Sequence, residues 1–393
     1  MQEIVDKKIV ILGSTGSVGR QTVEVAKDFE SRGVRTLALA GSKNVKIMER
    51  EARLLRPRFC VMTDEAAAQD LKTKLADTDI EVRAGKEALL EAASLPDADI
   101  VYNSIGQSAG LEPTLSALRA GKTLALANKE SLVIAGEIVK ETARRHNAQI
   151  IPVDSEHCAI YQCLRAGRHE EISRIILTAS GGPFFGMKRD EMRGITPERA
   201  LAHPTWNMGP KITVDSATLM NKGFEVIEAV HLFDVQVEQI EVAIHRESII
   251  HSAVEYNDNA VIAQLSVPDM KLCAQYALTC PERLPGAVKR LELADIGKMT
   301  FYKPDFEAFP LLALAIDCIK RGGVLPAALN AADEVAVSQF LDGYISFTDI
   351  MDVVDKTISK IRNIYEPDLT QLKEASDEAM LQAAALCKSL RHR

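Results

Sequence analysis

The chain has no Cys-x-x-Cys pair, no long basic run, and no apolar stretch of membrane-spanning length. Each absence removes a class of protein. The seven cysteines, at positions 60, 158, 163, 273, 280, 318 and 387, are odd in number and irregularly spaced. Reduced thiols in a cytoplasmic protein fit this pattern better than a disulfide framework or a zinc site. A net charge of −8 argues against nucleic acid as the main partner. The most apolar late stretch, Pro310 to Ile319, is too short for a bilayer and contains Asp317. The first strand-like run opens at Lys8 and leaves little room for a leader, so a cytoplasmic location is expected. Neither internal repeats nor low-complexity tracts occur, and there is a single tryptophan. What remains, at 47% hydrophobic and 26% charged over 393 residues, is an ordinary globular chain of two or three domains.

The first half reads as a nucleotide-binding fold. Lys8 to Leu12 is a continuous apolar run of the kind buried in a parallel sheet. It enters Gly13-Ser14-Thr15-Gly16-Ser17-Val18-Gly19, and a helical pattern follows over Gln21 to Phe29. Strand, glycine turn and helix are the context in which backbone N–H groups receive a pyrophosphate. A second strand, Arg35 to Ala40, ends in Gly41-Ser42-Lys43-Asn44. No acid is present there to hold a ribose 2′-hydroxyl, while the lysine suits a 2′-phosphate, which favours NADPH. Further strands are predicted at 59–62, 100–103 and 123–127, with helices between them. The last of these empties into Asn128-Lys129-Glu130, three polar groups at a crevice mouth, and after Ser131 a helix is predicted over Leu132 to Arg144.

The stretch Pro152-Val153-Asp154-Ser155-Glu156-His157 organises the middle of the chain. If Ile150 to Val153 is a strand, its period of two points Asp154 and Glu156 to one side. Paired carboxylates make a hard-oxygen site for Mg²⁺ or Mn²⁺, with Co²⁺ a third candidate. A helix over Ala159 to Ala166 and a strand over Ile172 to Leu177 lead to Ser180-Gly181-Gly182, a cradle for an anion. Residues 186–211, broken by glycines and prolines and carrying His203 and Trp206, read as an active-site lid. Taken as one helix, Val214 onward carries a polar stripe of Thr218, Asn221, Lys222 and Glu225. A solvated face explains such a stripe equally well. Ser216, Asn221 and Lys222 are phosphate-binding types, and Glu225 is a possible third carboxylate. Ile240–His245, Ile249–Tyr256 and Ala260–Val267 read as an antiparallel meander that forms a homodimer interface. Residues 281–308 read as a linker, and 309–393 as a helical domain.

These stretches together resemble the 1-deoxy-D-xylulose 5-phosphate reductoisomerase family. The likeness runs through ILGSTGSVG, ANKESL, PVDSEH, LTASGGPF, HPTWNMG, VDSATLMNKGFE, HSAVEY with AQLSVPDM, and NAADE. It implies an α/β fold with a Rossmann-type NADPH domain over 1–153. A catalytic and dimerisation α+β domain over 154–280 with its lid, a linker and a C-terminal helical domain would come after it. The likeness also implies a divalent metal on Asp154, Glu156 and Glu225. Substrate contacts fall on Lys129, Ser155, Glu156, Ser180, His203, Ser216, Asn221, Lys222 and Glu225, with Lys129, Glu156 and His203 the catalytic candidates. NADPH contacts fall on Thr15, Gly16, Ser17, Val18, Gly41, Lys43, Asn44, Asn128, Glu130 and Gly209. The implied reaction rearranges a ketose phosphate and then reduces the resulting aldehyde. Two departures stand out: Ala179 where glycine is frequent, and Asp333 where asparagine is common. Rival readings are another NADP-dependent sugar-phosphate or semialdehyde dehydrogenase, and a non-enzymatic NADPH-sensing regulator. Metal dependence and turnover of the ketose phosphate discriminate among the three.

Overall fold

The computed structural model describes residues 4–206 and 208–390. Two compact units form, and neither is continuous in sequence. The first comprises residues up to 131, then 139–158 and 269–289; the second comprises 132–138, 159–268 and 290 onward. Among the described residues, no helix is long and apolar enough to cross a membrane.

The first unit is built on seven parallel strands: β1 (Lys8–Leu12), β2 (Arg35–Gly41), β3 (Phe59–Met62), β4 (Glu81–Ala84), β5 (Ile100–Asn103), β6 (Thr123–Leu126) and β7 (Ile150–Pro152). Their order is β4-β3-β2-β1-β5-β6-β7. Strands β3 and β5 are buried along their whole length, as in a sheet covered on both faces. Strand β4 escapes a reading by hydrophobic runs because Glu-Val-Arg-Ala is a half-exposed edge. The order turns back on itself at β1, between β2 and β5, the switch point outside whose strand ends sheets of this kind bind ligands. The segment 269–289 joins this unit through the helix Lys271–Thr279, and the Tyr102 hydroxyl donates to the Ala274 carbonyl at 2.8 Å.

The second unit holds a four-stranded sheet of β8 (Ile172–Ala179), β9 (Ile240–Ile244), β10 (Ile250–Tyr256) and β11 (Val261–Leu265), in the order β11-β10-β8-β9. The meander expected from sequence is therefore corrected. Strands β10 and β11 form an antiparallel hairpin, but β9 pairs parallel to β8 rather than to β10. The reason is burial: β8 and β10 each bury five residues, against two in β9 and none in β11, so these two take the central places and β8 lies between β10 and β9. Among the C-terminal helices Pro310–Arg321, Leu325–Leu341, Phe347–Ile358 and Leu369–Leu390, the second packs against the last, and Leu325, Leu329, Ala332 and Ala336 of the one and Ala379, Ala383 and Cys387 of the other are buried.

Candidate active site

In the first unit the glycine turn is required by close approach. Gly13 has φ +75°, and a Cβ there would lie 2.6 Å from the Ser104 carbonyl oxygen. At Gly19 a Cβ would lie 2.1 Å from the Gly13 carbonyl oxygen, so the helix Ser17–Asp28 packs against the turn only because both are glycine. Gly16 stands at the N-cap with no side chain to bond the first N–H groups. Those donors point to an anion site beside Thr15, Ser17 and Val18. At the end of β2, Gly41 packs beneath Thr15 and Met48, and Ser42 and Lys43 are exposed. Asn44 caps the helix Val45–Leu55 by accepting from the Ile47 N–H at 3.2 Å.

After β6 the chain turns directly into the helix Glu130–Arg145, two residues earlier than the pattern predicts. Asn128 holds this turn. Its amide donates to the Gln107 carbonyl at 2.9 Å and to Glu130 Oε2 at 2.8 Å, and its Oδ1 accepts from the Ser131 N–H and hydroxyl.

The acidic motif is not a strand end. Strand β7 stops at Pro152, and Ser155–Cys163 is a helix with Asp154 at its N-cap, accepting from the Glu156 N–H at 3.2 Å. The period-two argument for Asp154 and Glu156 therefore fails. A cap followed by a first-turn residue orients them, because the Asp154 carboxylate can satisfy the helix N–H groups. The Lys129 ammonium lies 2.5 Å from Asp154 Oδ2, and His157 Nδ1 lies 3.1 Å from Oδ1. All three side chains are buried. Burial pushes the Asp154 carboxyl up, but Lys129 and His157 outweigh it and hold the group well below the usual carboxylate range. Ser155 donates to Glu156 Oε2 at 2.5 Å. No role for His157 is legible in the sequence, yet it steadies the aspartate from one turn away.

In the second unit the polar stripe is also redrawn. Helix Pro210–Thr218 ends at Leu219, whose φ of 61° breaks the chain, and Met220–Phe233 begins a separate helix. Lys222 is 3% exposed and Glu225 1%. That burial excludes a solvated face. The Lys222 ammonium donates to the Thr178 carbonyl and to Glu225 Oε2, and the Asn221 amide donates to Glu225 Oε1 at 2.5 Å.

Gly182 has φ +66°, and a Cβ there would lie 2.6 Å from the Ser216 carbonyl oxygen, so this glycine turn is pressed onto the helix that carries Ser216. The Ser180 hydroxyl is 3.0 Å from His203 Nε2. His203 Nδ1 accepts from the N–H groups of Thr205 and Trp206 at 3.2 and 2.9 Å. Two donors on Nδ1 require a neutral ring with its proton on Nε2, directed at Ser180. Burial, and secondarily the Arg246 charge, pushes the His203 imidazole down to about 4.

Arg246 was missed in the sequence. Its guanidinium donates to the carbonyls of Ser180 and Gly182, both at 2.6 Å, and so shapes the anion turn. No local motif around it would have revealed this. His251 was missed too; it hydrogen-bonds Ser266 at 2.8 Å and lies 6.1 Å from Trp206, centroid to centroid. Within the expected lid of residues 186–211, Met192, Ile195 and Ala200 are buried, while most of the other residues up to 200 are exposed. His203, Trp206, Met208 and Gly209 are partly exposed, and Asn207 lies outside the described residues.

Asp333 lies with Lys211 and Asp215. The Lys211 ammonium is 2.6 Å from Asp333 Oδ2 and 2.7 Å from Asp215 Oδ2. Burial, and then the Asp333 charge, pushes the Asp215 carboxyl well up despite the lysine.

Comparison with known proteins covers nearly the whole chain. Family models described as 1-deoxy-D-xylulose 5-phosphate reductoisomerase match residues 9–136 and, as its C-terminal domains, residues 150–233 and 265–382. The reductoisomerase of Desulfitobacterium hafniense is 48% identical over 384 residues, covering 98% of this chain and 100% of its own. That of Moorella thermoacetica is also 48% identical, with 98% and 99% covered. A solved structure of the Zymomonas mobilis enzyme in complex with NADPH has a TM-score of 0.91 at 42% identity, covering 98% of this chain and 100% of its own. A solved structure of DOX-P reductoisomerase in complex with NADPH, fosmidomycin and magnesium has a TM-score of 0.92 at 39% identity, covering 98% of this chain and 99% of its own.

Proposed function

The chain belongs to the 1-deoxy-D-xylulose 5-phosphate reductoisomerase family, and from that premise we propose how its residues divide the work. The enzyme converts 1-deoxy-D-xylulose 5-phosphate to 2-C-methyl-D-erythritol 4-phosphate with NADPH and a divalent cation, in the non-mevalonate route to isoprenoids. One observation carries the site assignment. Ionisable groups that are costly to bury are retained in pairs, Lys129 with Asp154 in one unit and Lys222 with Glu225 in the other.

Asp154, Glu156 and Glu225 would hold the cation. Their donor chemistry fits: all are hard carboxylate oxygens, and Asp154 is kept ionised by its neighbours. When bound, the cation supplies a Lewis acid for the ketone oxygen, and NADPH supplies the hydride. Lys129 is then placed to move a proton, with Asp154 fixing its ammonium. Glu156, steadied by the Ser155 hydroxyl, is the second candidate for proton transfer. Ser180, Ser216, Asn221 and Lys222 would grip the phosphate, so that binding energy from a group that does not react positions the substrate. Neutral His203 presents Nε2–H toward that same site. Thr15 to Val18, Gly41, Lys43, Asn44, Glu130 and Gly209 would contact NADPH, with Asn128 holding Glu130 in place.

The segment 186–211 would close over the substrate, which a change in Trp206 emission on adding fosmidomycin and NADPH would report. A homodimer is proposed through the second sheet, whose edge strand β11 exposes Val261 (50%) and Ile262 (39%); a sedimentation monomer at micromolar concentration refutes it. A cytoplasmic location is likewise proposed. The deciding assay monitors NADPH oxidation with 1-deoxy-D-xylulose 5-phosphate, with and without Mg²⁺ or Mn²⁺. Asp154→Asn, Glu156→Gln and Glu225→Gln should each lower turnover by orders of magnitude while far-ultraviolet circular dichroism and NADPH binding persist. Near-normal turnover by Glu225→Gln at limiting metal overturns the ligand assignment.

A further inference from the structure

Glu51, in the helix Val45–Leu55, plays no part in the chemistry above, yet it is wholly inaccessible to solvent. Neither of its carboxyl oxygens accepts a hydrogen bond of ordinary geometry. An uncompensated charge in such a place is costly, and a glutamate persists there only by carrying a proton for much of the time. Its surroundings connect it to the cofactor turn. The Ser14 hydroxyl lies beside the carboxyl but is directed at the Met48 sulfur, 3.9 Å away, one turn back on the same helix. Ser14 follows Gly13 in the glycine turn, and Met48 packs against Gly41 at the end of β2. Glu51 therefore stands behind both elements of the unit that would receive NADPH.

The charged and titratable groups facing it are few. Arg20 comes from the helix Ser17–Asp28, Arg50 from its own helix, and the Cys60 thiol from β3. Burial outweighs the Ser14 hydroxyl and the two arginines and pushes the carboxyl up to about 7. A group poised there changes charge around neutrality.

We propose that Glu51 is a proton-holding positioning residue whose neutral form favours NADPH, so that cofactor affinity falls as the pH rises and the carboxylate ionises behind the turn. A negative charge there opposes the cofactor's phosphates through a buried, poorly screened path. Neutral Glu51 removes that repulsion and can donate its own proton to the Ser14 hydroxyl. By linkage, bound NADPH raises the proton affinity of Glu51. The inference rests on placing the NADPH phosphates at the glycine turn, and its test separates the two statements.

The experiment is a fluorescence titration of NADPH against the full-length enzyme from pH 5.5 to 8.5, for wild type, Glu51→Gln and Ser17→Glu. The ratio of wild-type Kd to Glu51→Gln Kd cancels the titration of the cofactor's own 2′-phosphate. It should be near one at pH 5.5 and rise to roughly fivefold at pH 8.5. Ser17→Glu should weaken NADPH at every pH. A flat ratio alongside a weakened Ser17→Glu variant overturns the role of Glu51 alone, as does uniformly weaker binding by Glu51→Gln. Normal NADPH binding by Ser17→Glu overturns the placement of the phosphates, and the proposal with it. Calorimetry of wild type with NADH, which lacks the 2′-phosphate, in buffers of different ionisation enthalpy needs no variant. Net proton uptake near pH 7 is expected, and its absence overturns the proposal.

Discussion

Two buried lysine–aspartate clusters, one in each unit, reach opposite outcomes. Asp154 faces two potential cations, Lys129 and His157, and is held ionised. Asp215 shares its single lysine, Lys211, with a second acid, Asp333, and is pushed toward the protonated form. Burial opposes the charged form in both, so the balance of partners decides the sign. An acid kept ionised in the interior is suited to hold a cation. One sharing a lysine with another acid is suited to clamp two helices, here Pro210–Thr218 and Leu325–Leu341. An inventory of residue types would not separate the two arrangements.

The largest effect should come from breaking the first cluster. Lys129→Met removes both a proposed proton carrier and the main partner of Asp154, and kcat/KM should fall by about a thousandfold, roughly 4 kcal/mol of transition-state stabilisation. Steady-state kinetics with circular dichroism as the control checks this. A loss below tenfold would reduce Lys129 to a structural partner.

Breaking the second cluster should cost stability. Lys211→Met leaves two acids buried together and should destabilise the protein by about 3 kcal/mol, the low end for a broken buried pair because a proton can be taken up. Asp215 would then be harder still to ionise, so thermal melts should show a larger penalty at pH 8 than at pH 5.

Asp333→Asn sharpens the contrast by giving Asp215 a lysine of its own. A carboxyl raised in the folded state contributes stability fully present below its unfolded value and lost as pH rises through the folded one. Lowering the folded value should therefore return about 1 kcal/mol above neutrality and little near pH 4. Urea melts across that range measure it. An asparagine that destabilises at pH 8 would show that the Asp333 charge supports the lysine more than it opposes Asp215.

The smallest effect concerns His203, which belongs to neither cluster. Its ring should remain neutral from pH 5 to 8 and titrate near 4 by proton NMR. A rate profile with a His203 limb between pH 6 and 7 would contradict the Nδ1 acceptor geometry.

The doubly wound half was legible from the chain because its strands are short apolar runs and its glycines mark a turn that only glycine can make. Strand β4 was not, since an edge strand with two charges has no hydrophobic signature. Periodicity misled at Asp154 and Glu156, where a capping carboxylate and a first helical turn replaced the expected strand end. It misled again at Leu219, whose left-handed backbone splits one apparent polar stripe into two helices. It also could not place β9, because strand partners are chosen by burial across the sheet rather than by nearness in the chain. By itself the sequence determined which residue types were available for a cation, a phosphate and a dinucleotide, because local patterns carry chemistry. The tertiary structure alone decided which acids stay charged, which lysine is shared, and that Arg246 meets the Ser180 turn, His157 meets Asp154 and Glu51 is buried, because desolvation and pairing depend on residues far apart in sequence.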